Sequence, residues 1–302
     1  MFIEIKKIQY LKKIFKKDYP YFSDNLERQI SLFGRNWIND FSNELEVFFG
    51  ENKTLLNKAI QGYVNFALEA MKLQIKFNKT KKYDNKTYTQ AASEVYLNER
   101  YMMDLYLPGI YLSHYLWKHH YRQLIFFKKN FLKYCNLSKK NIFYDIGIGT
   151  GFYSKCMLQS LPNSIGVGFD FSPFSIKHTK RMIKAFKCSD RYKILNHDIT
   201  KKKPKILADH IICIEVLEHL ERPQFFLNHL FKMMKKGGYG LISAAINAPN
   251  QDHIYLYKNY KEVQKQLKIA GFKIVDFIND KAYKPRKKNE IVPENVAFII
   301  SK

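Results

Sequence analysis

The chain lacks the features that mark secreted and membrane-spanning proteins. Only four of its 302 residues are cysteines, and these show no paired spacing, so we expect a reduced, cytoplasmic protein. No uncharged apolar run reaches about 18 residues, so no transmembrane segment is expected. The first residues contain lysines throughout instead of an apolar stretch, and therefore no signal peptide is expected.

Acidic residues and arginine are also scarce. The chain has 51 basic but only 27 acidic residues, a formal net charge of +24, and only eight of the basic residues are arginine. An excess of positive charge fits a nucleic-acid or acidic-protein partner. Arginine is the residue favoured for bidentate recognition, however, and the lysines are spread along the whole chain. A general compositional bias therefore explains the charge about as well as a partner does.

The N-terminal 137 residues are predicted to form an α-helical domain. Residues 1–17 have the pattern of a basic amphipathic helix, which could contact a membrane or a partner but more simply packs against its own domain. Residues 24–77 are largely helical, with breaks near Gly34 and Gly50, and residues 78–87 form a polar loop. Two further helices, 88–106 and 110–135, are expected on either side of Pro108-Gly109.

From residue 141 onward strands and helices alternate, which predicts a parallel sheet. The predicted strands are 141–146, Ser164–Asp170, Tyr192–Asn196, His210–Val216, Tyr239–Ile246, Phe272–Ile278 and Val296–Ser301. The predicted helices are 152–161, Pro173–Lys187, Glu221–Lys236 and Lys261–Ala270, and Lys281–Glu290 is a lysine-rich loop.

The first of these strands ends in three glycines at alternate positions, within Asp145-Ile146-Gly147-Ile148-Gly149-Thr150-Gly151. A strand, a glycine turn and a helix N-terminus together form a usual site for a nucleotide-like ligand. The spacing is not that of a dinucleotide fingerprint, and no phosphate-loop pattern occurs.

The segment resembles motif I of class I S-adenosylmethionine-dependent methyltransferases. The resemblance covers residues 138–302 and implies a Rossmann-like, seven-stranded α/β sheet whose last two strands form an antiparallel edge. It also implies S-adenosyl-L-methionine as cofactor, with Asp145 holding the glycine turn and the amino end of the cofactor. The residues expected to bind the cofactor are Asp145, Gly147, Gly149, Gly151, Asp170, Phe171, Asp198, Ile199 and Glu215.

Two acidic residues at strand ends are expected to contact the adenosine part of the cofactor. Asp170 ends the second strand, where a carboxylate can accept two hydrogen bonds from a ribose diol. A cap for the next helix is the simpler structural role. Asp198 follows the third strand, and the resemblance implies a bond to the adenine amino group.

A second motif, Glu215-Val216-Leu217-Glu218-His219, follows the fourth strand. It resembles the segment at this position in ubiquinone-biosynthesis O-methyltransferases. In part of that group, and in small-RNA 2′-O-methyltransferases, this pattern binds a divalent metal with another histidine, here His253. The resemblance thus implies a Mg, Mn, Fe or Zn site formed by Glu215, Glu218, His219 and His253. Without metal, His219 could act as a general base, with Glu218 and His253 as further catalytic candidates.

The aromatic and imidazole-rich stretch before motif I is expected to cover the pocket, as a preceding helix often does in this family. Its candidate pocket residues are Tyr106, His114, His119, His120 and Tyr121.

The sequence therefore predicts an O-methyltransferase acting on a small or carrier-protein-bound metabolite, as in natural-product biosynthesis. A metal-dependent RNA 2′-O-methyltransferase is an alternative, although no recognised RNA-binding module occurs. A cofactor-binding scaffold without turnover is a third hypothesis, against which the intact acids and glycines argue. The oligomeric state stays open.

Overall fold

The computed structural model describes residues 2–84, 87–136, 138–199 and 204–302, and within these residues seven strands form one sheet. The strands are β1 (Ile142–Ile146), β2 (Ile165–Asp170), β3 (Tyr192–Asn196), β4 (Ala208–Cys213), β5 (Met234–Ile246), β6 (Lys273–Lys281) and β7 (Glu294–Ser301). Their order is β3-β2-β1-β4-β5-β7-β6. Strands β1 to β5 pair in parallel, and β7 runs antiparallel between β5 and β6. The predicted fold class is confirmed.

Eleven α-helices are present among the described residues. They are α1 (Phe2–Asp18), α2 (Pro20–Phe49), α3 (Lys53–Thr80), α4 (Tyr88–Ala91), α5 (Glu99–Tyr101), α6 (Leu107–Leu116), α7 (Lys118–Phe126), α8 (Phe152–Ser160), α9 (Pro173–Ala185), α10 (Pro223–Met233) and α11 (Tyr260–Ile269). As expected, Gly34 kinks α2 with a positive φ of 64°, and Gly50 follows its end. None of the described helices is long and apolar enough to cross a membrane.

The strand order creates a crevice at the carboxyl end of the sheet. Because β2 and β4 lie on opposite sides of β1, the chain leaves β1 and β4 toward opposite faces. Ligands of open parallel sheets bind at such a reversal of strand order. The glycine turn after β1 and the Glu215 turn after β4 both lie at this point.

The N-terminal helices share a hydrophobic core with one face of the sheet. Trp37 and Phe41 of α2 belong to the same buried cluster as Phe152 and Met157 of α8. The apolar face of α1 joins this cluster, so that helix packs against its own protein. Some predicted positions lie outside the described residues. These are the side chain of Ile5 in α1, the loop residues Asn85 and Lys86, and Leu137 at the predicted domain boundary.

The expected helix break at Pro108-Gly109 is wrong. Helix α6 contains both residues and continues directly from a π-helical turn, Met102–Tyr106, so Pro108 lies inside a continuous helical run. The chain breaks at Trp117 instead, whose backbone is extended. A Cβ on Gly109 would lie 2.4 Å from Cγ of Phe66, so this glycine permits close packing of α6 on α3.

The predicted helix Glu221–Lys236 is too long, because α10 ends at Met233 and β5 begins at Met234. The glycines Gly237 and Gly238 lie within β5, where its pairing with β4 is irregular. A Cβ on Gly238 would lie 2.8 Å from the Asp209 carbonyl oxygen, so these glycines accommodate a bulge instead of ending a helix. Strand β4 also ends three residues earlier than predicted, at Cys213.

Gly62→Ala is expected to destabilise the protein by about 1–3 kcal/mol, the usual cost of inserting a methyl group into a tight contact. A Cβ at Gly62 would lie 2.5 Å from the Asp104 backbone oxygen and 2.6 Å from the Pro108 ring. Urea unfolding measures the effect, with Gln61→Ala at the neighbouring exposed position as control. Equal stability of the two variants would contradict this close approach of α3 to the chain before α6.

Candidate active site

The glycine turn has the backbone conformation that glycine favours. Gly147, Gly149 and Gly151 have φ values of 72°, 49° and 75°. A Cβ on Gly147 would also lie 2.6 Å from a methyl group of Val216, so the turns after β1 and β4 touch at this residue. Gly151 is the N-cap of α8, and the turn therefore places that helix N-terminus beside the crevice.

Asp145 lies in β1, just before this turn, and bonds to the helix that follows it. Its carboxylate accepts a hydrogen bond of 2.5 Å from the Ser154 hydroxyl on α8. Burial raises the pKa of Asp145 to about 7, and the bond from Ser154 opposes that shift. The carboxyl group thus ties β1 to α8; its predicted contact with the amino end of a cofactor stays a prediction.

Asp170, at the end of β2, organises the loop beside the glycine turn. Its carboxylate accepts hydrogen bonds from the backbone N–H of Gly149, at 3.1 Å, and of Ser172, at 2.8 Å. Burial raises the pKa of Asp170 to about 6, and these backbone bonds limit the shift. Asp170 therefore braces the turn in addition to any contact with a ribose.

An aromatic cover lies over this loop. The rings of Tyr88 and Tyr96 lie 5.7 Å and 5.2 Å from that of Phe171. Burial, followed by the negative charges of Asp198 and Asp170, raises the pKa of Tyr88 above its ordinary value. Tyr88 thus lies near both acids that were expected to contact adenosine.

The turn after β4 presents Glu215 with a positive φ of 52°, an unusual conformation for a residue with a side chain. Its N–H donates to the Ser243 hydroxyl, and its carboxylate accepts from the Asn295 amide. His120 Nε2 of α7 lies 3.5 Å from the same carboxylate oxygen. Burial alone would raise the pKa of Glu215, but the charge and hydrogen bond of His120 lower it below its ordinary value.

Glu218, His219 and His253 converge on one point. Each offers one possible metal-ligand atom, and these atoms lie within 4.8 Å of one another. Nδ1 of His219 lies 3.1 Å from the backbone oxygen of Asp252, and Nδ1 of His253 lies 2.5 Å from that of Ala248. A carbonyl only accepts, so both Nδ1 atoms carry the proton in these bonds and leave the Nε2 lone pairs available. Glu215, the fourth predicted metal ligand, is outside this group of three.

The carboxylate of Glu218 is fully buried but only half satisfied. Its Oε1 accepts a bond of 3.2 Å from the Ala245 N–H, whereas none of the described residues donates to its buried Oε2. Burial, together with the nearby negative charge of Glu215, raises the pKa of Glu218 above its ordinary value. An unsatisfied carboxylate oxygen facing two imidazoles is the arrangement that a bound cation would complete.

One cavity of about 640 Å³ connects these parts. Its wall includes Gly147 and Gly149 of the glycine turn together with Glu215, His219 and His253. The helical region contributes four of the predicted pocket residues, Tyr106, His114, His119 and His120. Tyr121 does not line the cavity; its ring packs 4.7 Å from that of Phe33.

Comparison with known proteins identifies this region. A family model described as a methyltransferase domain matches residues 144–239. Residues 144–239 form a class I S-adenosylmethionine-dependent methyltransferase domain. The match includes the glycine turn, Asp170 and the Glu215–His219 segment, and the helical region lies outside it.

The methyltransferase domain is similar to two curated proteins named ubiquinone biosynthesis O-methyltransferase. The protein of Pelagibacter ubique is 32% identical over 132 residues, covering 43% of this chain and 53% of the relative. That of Pseudomonas fluorescens is 25% identical over 114 residues, covering 38% and 48%. The chain thus spans about half the length of these relatives. The solved N-methyltransferase NodS of Bradyrhizobium japonicum shares the fold at 15% identity, with a TM-score of 0.50 over 71% of this chain and 98% of NodS.

The structure adds residues to the candidate site that the sequence did not single out. Asp252 is fully buried beside His219, although an acid in a polar loop next to a predicted histidine carries no distinctive pattern. Asn295 reaches Glu215 from β7, about 80 residues away in sequence. Tyr88 and Tyr96 come from the helical region, and only their clustering with other tyrosines could have drawn attention to them.

Proposed function

We propose that the protein transfers the methyl group of S-adenosyl-L-methionine to a hydroxyl oxygen of a small or carrier-bound metabolite. The observation that carries this proposal is the cavity that joins the glycine turn to Glu215, His219 and His253. The names of the two curated relatives support oxygen as the methylated atom. The donor would bind along the glycine turn, Asp170, Phe171, Asp198 and Ile199, and the acceptor between the sheet edge and the helical region.

Methyl transfer from a sulfonium is an in-line displacement, in which alignment and exclusion of water supply much of the rate. The acceptor oxygen forms a bond to the methyl carbon while the carbon–sulfur bond breaks, and the donor becomes S-adenosylhomocysteine. The hydroxyl proton must go to a base. His219 is suited to this role when no metal is bound, because its Nδ1–H is directed to Asp252 and its Nε2 is the free nitrogen.

The same residues fit a divalent cation. Glu218, His219 and His253 would hold it through one carboxylate oxygen and two Nε2 atoms, and the unsatisfied Oε2 of Glu218 favours such a ligand. When bound, the cation would supply a Lewis acid that lowers the pKa of the acceptor hydroxyl. Glu215 would then line the acceptor pocket beside His120.

Metal titration distinguishes a site that binds a cation from one in which His219 acts as the base without metal. We expect EDTA-treated protein to bind Mn²⁺ or Zn²⁺, and His253→Ala to weaken that affinity by at least about 100-fold, since one of three ligands is lost. Calorimetry measures the affinity, with His229→Ala on α10, outside the cluster, as control. Equal metal affinity of His253→Ala and the control would leave His219 as the proposed base.

The activity itself is tested by incubating the protein with methyl-labelled S-adenosylmethionine and panels of hydroxylated metabolites, amines and RNA. Label transfer to hydroxylated small molecules is the expected result. Transfer to RNA, falling steeply with added salt, would instead favour the RNA methyltransferase hypothesis. Failure of the protein to bind S-adenosylhomocysteine would contradict the proposal and leave a scaffold role.

A further inference from the structure

Tyr96 lies between the loop that follows Asp170 and the candidate catalytic residues around His219. It belongs to the cover segment, residues 87–106, which contains α4, α5 and two π-helical turns. The backbone oxygen of Tyr96 accepts a hydrogen bond of 2.8 Å from the hydroxyl of Ser172, the N-cap of α9. Its ring packs edge-on against Phe171. The cover segment is therefore attached directly to the loop that follows Asp170.

The hydroxyl of Tyr96 points the other way, to the candidate catalytic cluster. It donates a hydrogen bond of 2.8 Å to Oδ2 of Asp252, a residue with no exposed surface. His219 Nδ1 lies 3.1 Å from the Asp252 backbone oxygen and 3.4 Å from the same Oδ2. The Tyr96 and His219 rings also meet edge-to-face, with centroids 6.0 Å apart. One tyrosine thus contacts both the Asp170 loop and the group that holds His219.

Asp252 contacts His219 through both its backbone and its side chain. The backbone oxygen lies 3.1 Å from Nδ1 of His219, and a carbonyl oxygen only accepts, so this bond selects the Nδ1–H tautomer. The Oδ2 atom, 3.4 Å from the same nitrogen, accepts the hydrogen bond from the Tyr96 hydroxyl. The Tyr96 hydroxyl therefore holds the residue that orients the imidazole.

We propose that Tyr96 is a positioning residue that, through Asp252, fixes the ring and the tautomer of His219. The inference rests on the proposed function in one respect, which is that His219 faces the acceptor. A partner on the second ring nitrogen sets which nitrogen is free, whether that nitrogen takes a proton or binds a metal. The helical region thereby contributes to the chemistry of a site whose candidate catalytic residues all follow strands β4 and β5 of the sheet.

Long-range ¹H–¹⁵N correlation spectra of histidine-labelled protein test this assignment. The signals of His219 are identified by their absence in His219→Ala, and spectra are recorded in EDTA with and without S-adenosylhomocysteine. Wild-type protein is expected to show the Nδ1–H tautomer of His219. Tyr96→Phe keeps the ring but removes the hydroxyl, and it is expected to lose that pattern in favour of a mixture of tautomers.

Tyr101→Phe is the matched control, because Tyr101 lies in the same segment and its hydroxyl bonds to Glu69. It should keep the wild-type pattern, and circular dichroism checks that both variants are folded. Asp252→Ala keeps the backbone oxygen that accepts the Nδ1–H but removes the carboxylate that Tyr96 holds, so it is expected to weaken the Nδ1–H pattern as Tyr96→Phe does. An unchanged His219 pattern in folded Tyr96→Phe and Asp252→Ala would overturn the inference.

The two proposals fail separately. If wild-type protein does not bind S-adenosylhomocysteine, the proposed function is contradicted, whereas the spectra without ligand still decide whether Tyr96 positions His219.

Discussion

Replacing Asp170 by Ala is expected to lower the affinity for S-adenosylhomocysteine by about 100-fold or more. A ribose diol can donate two hydrogen bonds to this carboxylate, and bonds to charged groups contribute about 1.5–3 kcal/mol each. Each 1.4 kcal/mol corresponds to about a tenfold change in affinity. The substitution also removes the acceptor for the N–H groups of Gly149 and Ser172, so the turn loses its brace. Isothermal titration calorimetry measures the change directly.

The matched control is Asp190→Ala, an exposed acid in the turn before β3, which should bind like wild type. A pH series adds a second readout. The pKa of Asp170 is raised to about 6, so the carboxylate gains a proton as the pH falls through that value, and affinity should decrease there. Asp170→Asn, which cannot ionise, should lack this decrease. Wild-type affinity in Asp170→Ala would show that another residue holds the ribose.

Replacing Glu44 by Gln is expected to destabilise the folded protein by about 3–5 kcal/mol, because it leaves a buried cation without its partner. Glu44 of α2 bonds to Lys155 Nζ of α8 at 2.5 Å, and both side chains are almost completely buried. The Tyr111 hydroxyl also donates to Glu44, at 3.1 Å. This ion pair therefore connects the N-terminal helices to the helix that begins at the glycine turn.

Urea unfolding measures the loss, and the Asp40–Lys128 pair supplies a control of the same kind on the surface. Its atoms are 2.7 Å apart with side chains about 40% exposed, so Asp40→Asn should cost no more than about 1 kcal/mol. Combining Glu44→Gln with Lys155→Met should recover part of the stability, since no uncompensated charge remains. A loss no larger than that of Asp40→Asn would contradict a connecting role for the buried pair.

The fold was predictable because its signals are local. A short apolar strand, glycines on alternate positions and a helix start follow one another within Asn141–Leu161, and glycine is required there by positive φ values. The strand–helix alternation then predicted the sheet and its antiparallel edge. The prediction was wrong where a glycine has a packing role, as at Gly109 and Gly238. Glycine occurs both in turns and where two elements pack closely, so the residue alone does not distinguish the two cases.

The candidate site was predictable only in part. Glu218 and His219 are close in sequence, and His253 could be added because β4 and β5 are neighbours in such a sheet. The structure does bring these three together, whereas it places Glu215 with His120 and Asn295 instead. Nothing in the local pattern distinguishes these arrangements, since a three-residue turn and a positive φ decide where each carboxylate points.

The sequence by itself determined the sheet, the glycine turn and the group of residues around His219, because strand periodicity, turn chemistry and motif spacing act over a few residues. Only the tertiary structure decided how the helical region takes part. The pairing of Glu44 with Lys155, of His120 with Glu215 and of Tyr96 with Asp252 joins residues more than 90 positions apart. Such contacts depend on how α2, α7 and the cover segment pack on the sheet, and packing is set by the shape of the whole core.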